Sequence, residues 1–156
     1  FEYKGQFEEY CKSQGIQIEY TMPKTPELNG LAERMNQTIM ERVRSMLSHA
    51  KLSKSYWAEA MYTTVYLINR SPSVPLKGDV PQRVWTGKDV SYQHLRVFGC
   101  LVYMHVSKDQ RSKACIFLGY SEDEFGYRLW DLGEKKIVTS RDVLFPEDNG
   151  IEDWKQ

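Results

Sequence analysis

The chain has 156 residues, of which 41% are hydrophobic and 13% aromatic, enough for one ordinary packed domain or two small ones and too much for a disordered polymer. No stretch approaches the roughly 20 apolar residues that a helical membrane span needs, so no such anchor is expected. Formal net charge is zero, but residues 1–33 hold three basic and six acidic side chains, residues 34–113 thirteen against five, and residues 114–156 five against ten. A basic middle fits a phosphate-facing surface; it equally fits a solvated surface with uneven charge.

The chain opens on Phe1 with no signal-peptide pattern, and it reads as an excised piece of something longer. Cys11, Cys100 and Cys115 are widely separated, form no Cys-x-x-Cys pair, and share no ligand spacing with His49, His94 or His105. Buried thiols in a reducing compartment are expected, and a zinc site is not.

In chain order, "FEEYCKSQGI" (7–16) has apolar residues at 7, 10 and 11 and then Gly15, a helix with its stop. "IQIEYTM" (16–22) alternates apolar and polar residues and predicts a strand. "PKTPELNG" (23–30), with two prolines and Asn29-Gly30, predicts a loop. From Leu31 the period turns helical: Leu31, Met35, Ile39, Val43, Met46, Leu47 and Ala50 line one face, with Glu33, Gln37, Met40 and Arg44 roughly opposite. Glu33 therefore faces away from the core near a helix start, where the helix dipole alone is reason enough for a carboxylate.

"SKSYWAEAMYTTVYLINRSP" (53–72) predicts a second, well-buried helix capped by Ser53 or Ser55 and stopped before Pro72. Residues 71–93 hold prolines at 72, 75 and 81 and are expected to be a linker. "HLRVFGCLVYMHV" (94–106), "ACIFLGYS" (114–121), "GYRLWDL" (126–132) and "KIVTSRDVLF" (136–145) are β-type runs separated by turn residues, predicting a small barrel or compact antiparallel sheet. Trp57, Trp85, Trp130, Tyr120 and Tyr127 fit base-stacking platforms, but at this spacing core positions are expected.

The run "TPELNGLAERMNQTIMERVRSML" resembles the segment around the third catalytic acid of copia-type retrotransposon integrases, including the Tnt-like elements of plants. "YWAEAMYTTVYLINRSPS", "HLRVFGC", "CIFLGY", "FGYRLWD" and "SRDVLF" follow in the same order as in those Pol polyproteins, so the resemblance spans about residues 7–147. It implies an α+β or α/β chain: a partial ribonuclease-H-like integrase core (helix, strand, long helix, helix) over 1–70, a linker over 71–93, a small Src-homology-3-like antiparallel barrel over 94–147, and an acidic tail over 148–156.

The same resemblance implies an Asp-Asp-Glu triad holding two divalent ions, Mg2+ or Mn2+, with Glu33 as its glutamate. The family's second aspartate, in an Asp-Asn-Gly-Gly-Glu motif, would fall just upstream of Phe1 and the first further still, so this chain is expected to hold no ion stably and to be inactive alone. Asn36 and Gln37, one turn on from Glu33, fit a DNA end and equally fit ordinary solvent exposure; Arg34, Arg44 and Lys51 are expected to bind DNA, with Arg42 and Lys54 as further phosphate contacts, and Pro26, Asn29 and Gly30 are expected to shape a mobile loop entering the helix. Implied partners are element-end DNA, target DNA and other integrase protomers, with no membrane and no small-molecule substrate; the parent is expected inside the cell, in the nucleus. A non-catalytic remnant that binds DNA or protein is the alternative.

One departure concerns "QRSKACIFLGY", where relatives carry a longer stretch with Lys-Leu-Asp; the shortening brings the first hairpin of the barrel into question. A core cut through its sheet would also leave helix faces uncovered, and marginal stability or self-association is expected.

Overall fold

The computed structural model describes residues 5–20, 22, 25, 29–106, 111–121 and 126–146, and the chain divides into two compact units, residues 1–37 and 38–156. In the first, α1 (Gln6–Ser13) has Glu8 and Glu9 in its first turn and Lys12 in its last, the polarity a helix dipole favours. Its end is a Schellman motif: Ile16 N–H donates to the Cys11 carbonyl at 2.8 Å and Gly15 N–H to that of Lys12 at 3.1 Å, with Gly15 at φ 68. The strand expected over 16–22 does not form; residues 16–20 and 22 have no regular structure. A strand persists only where a neighbour takes its backbone groups, and among the described residues none pairs with this one.

α2 (Gly30–His49) is one continuous helix. Val43 and Leu47 are buried and Ile39, Met46 and Ala50 partly so, whereas Leu31 and Met35, expected in the core, are 79% and 47% exposed. The helical period is right throughout, but burial also needs an opposing surface, and these two residues find little.

In the second unit Ser53 is the cap: its hydroxyl accepts from Ser55 N–H at 3.3 Å and opens a 3-10 turn (Lys54–Tyr56), after which α3 (Trp57–Asn69) runs. The helix expected over 53–72 is thus shorter at both ends. Its buried side is small and polar, Glu59, Ala60, Thr63 and Thr64, while Trp57 and Tyr62 are exposed. Counting apolar residues misjudged the inward face. Residues 71–93 hold a 3-10 turn (Val74–Leu76) and α4 (Pro81–Thr86), which starts on proline and is followed by Gly87 at φ 68.

Five antiparallel strands follow, β1 (Leu101–Val106), β2 (Arg111–Tyr120), β3 (Tyr127–Asp131), β4 (Lys136–Ser140) and β5 (Val143–Leu144), in the spatial order β4-β3-β2-β1-β5. The first hairpin forms despite its shortened sequence, pairing Leu101 with Ile116 through to Val106 with Arg111. Residues 94–100 stay outside the sheet, and the expected run 136–145 breaks into two strands. Those two strands lie on opposite edges, yet only two residues separate Ser140 from Val143, a reach of about 10 Å. The sheet must therefore curl until its edges nearly meet. It does not close, since β4 and β5 do not pair.

A bulge in β2 decides which residues go where. Phe117 pairs with Leu129 and Gly119 with Arg128, leaving Leu118 as the extra residue. Leu118 packs with Val43, Leu47, Ala60 and Phe98 from the helical side. Phe117 packs inside the curl with Val102, Cys115 and Leu129, flanked by Tyr120, Tyr127 and Phe145. Two glycines let helices approach: a Cβ on Gly119 would stand 2.4 Å from Thr63 Oγ1, and one on Gly99 (φ 82) would stand 2.4 Å from the Cβ of Ala50.

Candidate functional site

Glu33 is exposed in the first turn of α2, as the helical wheel requires. Arg34, Asn36 and Gln37 are exposed beside it, and Gln37, four residues on, shares its stripe of the helix. Arg42 and Arg44 are exposed further along, as are Lys54 and Lys51, the latter at φ 51 just after the helix end. Asn29 is exposed, whereas Gly30 is the first residue of α2 rather than part of the loop before it; Pro26 lies outside the described residues. Among the described residues no three His, Cys, Asp or Glu side chains come together in a way that could hold a metal ion, so Glu33 belongs to no such cluster there. One carboxylate does not fit a pair of divalent ions, and no step is derived through them.

The structure gathers a different set of polar groups where α3 meets the sheet. Glu59 takes a two-pronged salt bridge from Arg128, 2.9 Å from Nε and 2.8 Å from Nη2. Thr63 Oγ1 donates to the Leu118 carbonyl at 2.8 Å, through the gap that Gly119 leaves open. These bonds hold α3 on β2 and β3 and satisfy Glu59 and Thr63, whereas the buried Thr64 hydroxyl finds no hydrogen bond among the described residues.

Beyond them lies an aromatic stack. Arg70 sits 3.4 Å above the Tyr66 ring, which stacks on Tyr120 at 4.2 Å, and the Tyr66 hydroxyl meets His94 Nε2 at 2.7 Å. Tyr120 in turn accepts from Arg96 N–H at 3.0 Å. Burial pushes the Tyr120 hydroxyl up to about 12 and raises that of Tyr66. Burial also lowers the His94 imidazole, helped by the nearby Arg70 and Arg96 charges, so it favours the neutral ring. His94 and Arg70 open onto a pocket of about 350 Å³ that Gln82, Lys88, Asp89 and Ser91 also line.

Little in residue type or spacing signals this network. Tyr66 and Arg70 are neighbours at the end of α3, but His94 comes from the segment before β1 and Tyr120 from β2. Of the expected core aromatics, Tyr120, Tyr127 and Trp130 are partly buried, Trp130 edge-on to Tyr56 at 5.5 Å, but Trp57 and Trp85 are 41% and 90% exposed. Cys11 and Cys115 are buried free thiols, and Cys100 is half-buried. No described helix is long and apolar enough to cross a membrane.

The curled sheet has a counterpart among known families: residues 100–155 match the retroviral polymerase SH3-like domain. Nearly all of the chain, 91%, is similar to the retrovirus-related Pol polyprotein from transposon TNT 1-94 of Nicotiana tabacum, at 61% identity and over 11% of that protein. The corresponding polyproteins from transposons RE1 and RE2 of Arabidopsis thaliana are 39% and 38% identical, each over 89% of the chain and 10% of their own length. Over nearly its whole length the chain is thus similar to a segment of the copia-type retrovirus-related Pol polyproteins of plant transposons. It spans about a tenth of the length of these curated relatives.

Proposed function

We propose that this chain is the C-terminal part of an integrase catalytic core of ribonuclease-H-like fold, followed by its SH3-like module, and that the parent joins element DNA to target DNA by metal-dependent phosphoryl transfer. The observation that carries this reading is the similarity over 91% of the chain to Pol polyproteins, with Glu33 solvent-facing in the first turn of α2. In the complete protein Glu33 would supply one carboxylate toward Mg2+ or Mn2+, and such ions would supply the activation of an attacking oxygen and the stabilisation of a leaving one. The two aspartates come from sequence preceding Phe1. Arg34, Asn36, Gln37, Arg44 and Lys51 contact element-end or target DNA, Pro26, Asn29 and Gly30 shape the entry to the helix, and further integrase protomers complete the assembly. By themselves these 156 residues do not catalyse.

The test is magnesium-dependent strand transfer on labelled element-end DNA, comparing this chain with one extended upstream through both aspartates, and Glu33→Gln in each. Activity confined to the extended chain and abolished by Glu33→Gln is the expected result. Activity in the 156-residue chain, or an extended chain indifferent to Glu33→Gln, overturns the reading. A second reading, a non-catalytic DNA- or protein-binding remnant, is favoured by the solitary position of Glu33 among the described residues. It predicts DNA or protein binding with no transfer in either chain.

A further inference from the structure

The C-terminal half of α2 and the middle of α3 leave a groove between them, roofed by residues 96–98, with a volume of about 430 Å³. Its side-chain hydrogen-bonding groups are Arg42, Ser45 and His49 from α2, Thr64 from α3, and Arg96, and among the described residues no carboxylate lines it. Arg42, Ser45 and His49 follow one another at three and four residues, so a single helix face presents all three. Arg96 is held in place, its Nη1 donating to the carbonyls of Gln93 and Leu95 at 3.0 Å each. At the wall is a polar group with no assigned partner: Thr64 is 1% exposed, and its hydroxyl finds no hydrogen bond among the described residues. A buried hydroxyl left unmatched is uncommon in folded proteins and asks for an acceptor from outside the chain.

We propose that this groove binds a phosphodiester of a nucleic-acid backbone. The reading deepens the nucleic-acid function proposed above and rests on it, with residues other than those flanking Glu33. Two guanidinium groups, an imidazole and two hydroxyls offer more donors than a carboxylate can take, and they suit the oxygens of a phosphate. Leu67 and the exposed Val97 supply apolar wall beside them, which suits a sugar. An acidic peptide has the charge but not this pairing of donors with an apolar face.

The test is fluorescence anisotropy of a labelled DNA duplex with the full 156-residue chain across a salt series. Arg42→Gln is expected to weaken binding about threefold or more and to lower the salt slope by about 1. Thr64→Val keeps the side-chain shape and removes the unmatched hydroxyl; it is expected to weaken binding about threefold while leaving the melting temperature unchanged or higher. Lys77→Gln, exposed and away from the groove, serves as the charge control. Three results overturn the proposal: a wild-type chain that does not bind, Arg42→Gln and Thr64→Val chains that bind as wild type does, or displacement of the DNA by an equal charge of glutamate-rich peptide. Groove binding with no strand transfer in the extended protein would sink the integrase reading and leave the groove standing. Transfer with an indifferent groove would do the reverse.

Discussion

The two halves of α2 carry the same helical pattern and meet different fates. Val43 and Leu47 vanish beneath Leu118, Ala60 and Phe98, while Leu31 and Met35, on the same apolar stripe, remain 79% and 47% exposed. The difference teaches that periodicity specifies a face but not a burial. The later turns are covered because β2 bulges at Leu118 and because Gly99 lets the chain pass within contact of Ala50. Leu31 and Met35 show the unspent half of the same pattern, and that is where a longer protein would add surface.

The comparison is broken most severely at the buried end. Phe117→Ala empties the centre of the curled sheet, where Phe117 meets Tyr120, Tyr127 and Phe145 at ring distances of 5.4 to 5.7 Å. A loss of about 3–5 kcal/mol is expected in denaturant unfolding, and a loss below about 1 kcal/mol would mean that the sheet is not the stable part. Gly99→Ala drives a methyl into Ala50 at a backbone φ of 82, and a cost of about 2 kcal/mol is expected, partly recovered by Ala50→Gly. No recovery in the double variant would show that the helix end and residue 99 do not touch.

A smaller effect sharpens the same contrast through pH. Tyr120 is raised from 10.0 to about 12, so the folded chain keeps it neutral where the unfolded chain ionises it. Its contribution is whole below pH 10 and is lost as pH rises from there through about 12. Absorbance at 295 nm should reveal a tyrosine that ionises only as the chain unfolds, and Tyr120→Phe should remove it. If all ten tyrosines ionise together near 10, the stack on Tyr66 is not closed to water.

The smallest effect belongs to the uncovered end. Leu31→Gln with Met35→Gln should change stability by less than about 0.5 kcal/mol, since neither side chain is buried. The pair should also raise the monomer fraction in sedimentation velocity, because two exposed apolar groups are removed. In the chain extended upstream the same substitutions should become costly if new strands cover this face. Equal, negligible cost in both chains would argue against the ribonuclease-H-like core.

The sequence was most legible where the cause is local. Gly15 ends α1 because the residue after the cap must take a left-handed backbone, and Ser53 opens a turn because its hydroxyl is in reach of Ser55 N–H. Glu33 could be placed on the outer face of a helix from spacing alone. The segment 16–22 has a strand's alternation and remains irregular, since alternation cannot supply the neighbour that strand pairing requires. The helix expected over 53–72 gave no hint that its buried side would be polar: Glu59 and Thr63 face inward because Arg128 and the Leu118 carbonyl are brought to them by strands some fifty to seventy residues away.

The sequence by itself therefore determined α1 with its Gly15 stop, the helical period of α2, the Ser53 cap before α3, the antiparallel character of the second half, and the likeness to transposon Pol polyproteins. These follow from residue type, near-neighbour spacing and ordered blocks. Only the tertiary structure decided that β4 and β5 part to opposite edges of a curled sheet, that Tyr66, Arg70, His94 and Tyr120 assemble, and that a donor-lined groove opens between α2 and α3. Each of these depends on contacts between residues far apart in the chain, and such contacts leave no periodic trace in the sequence.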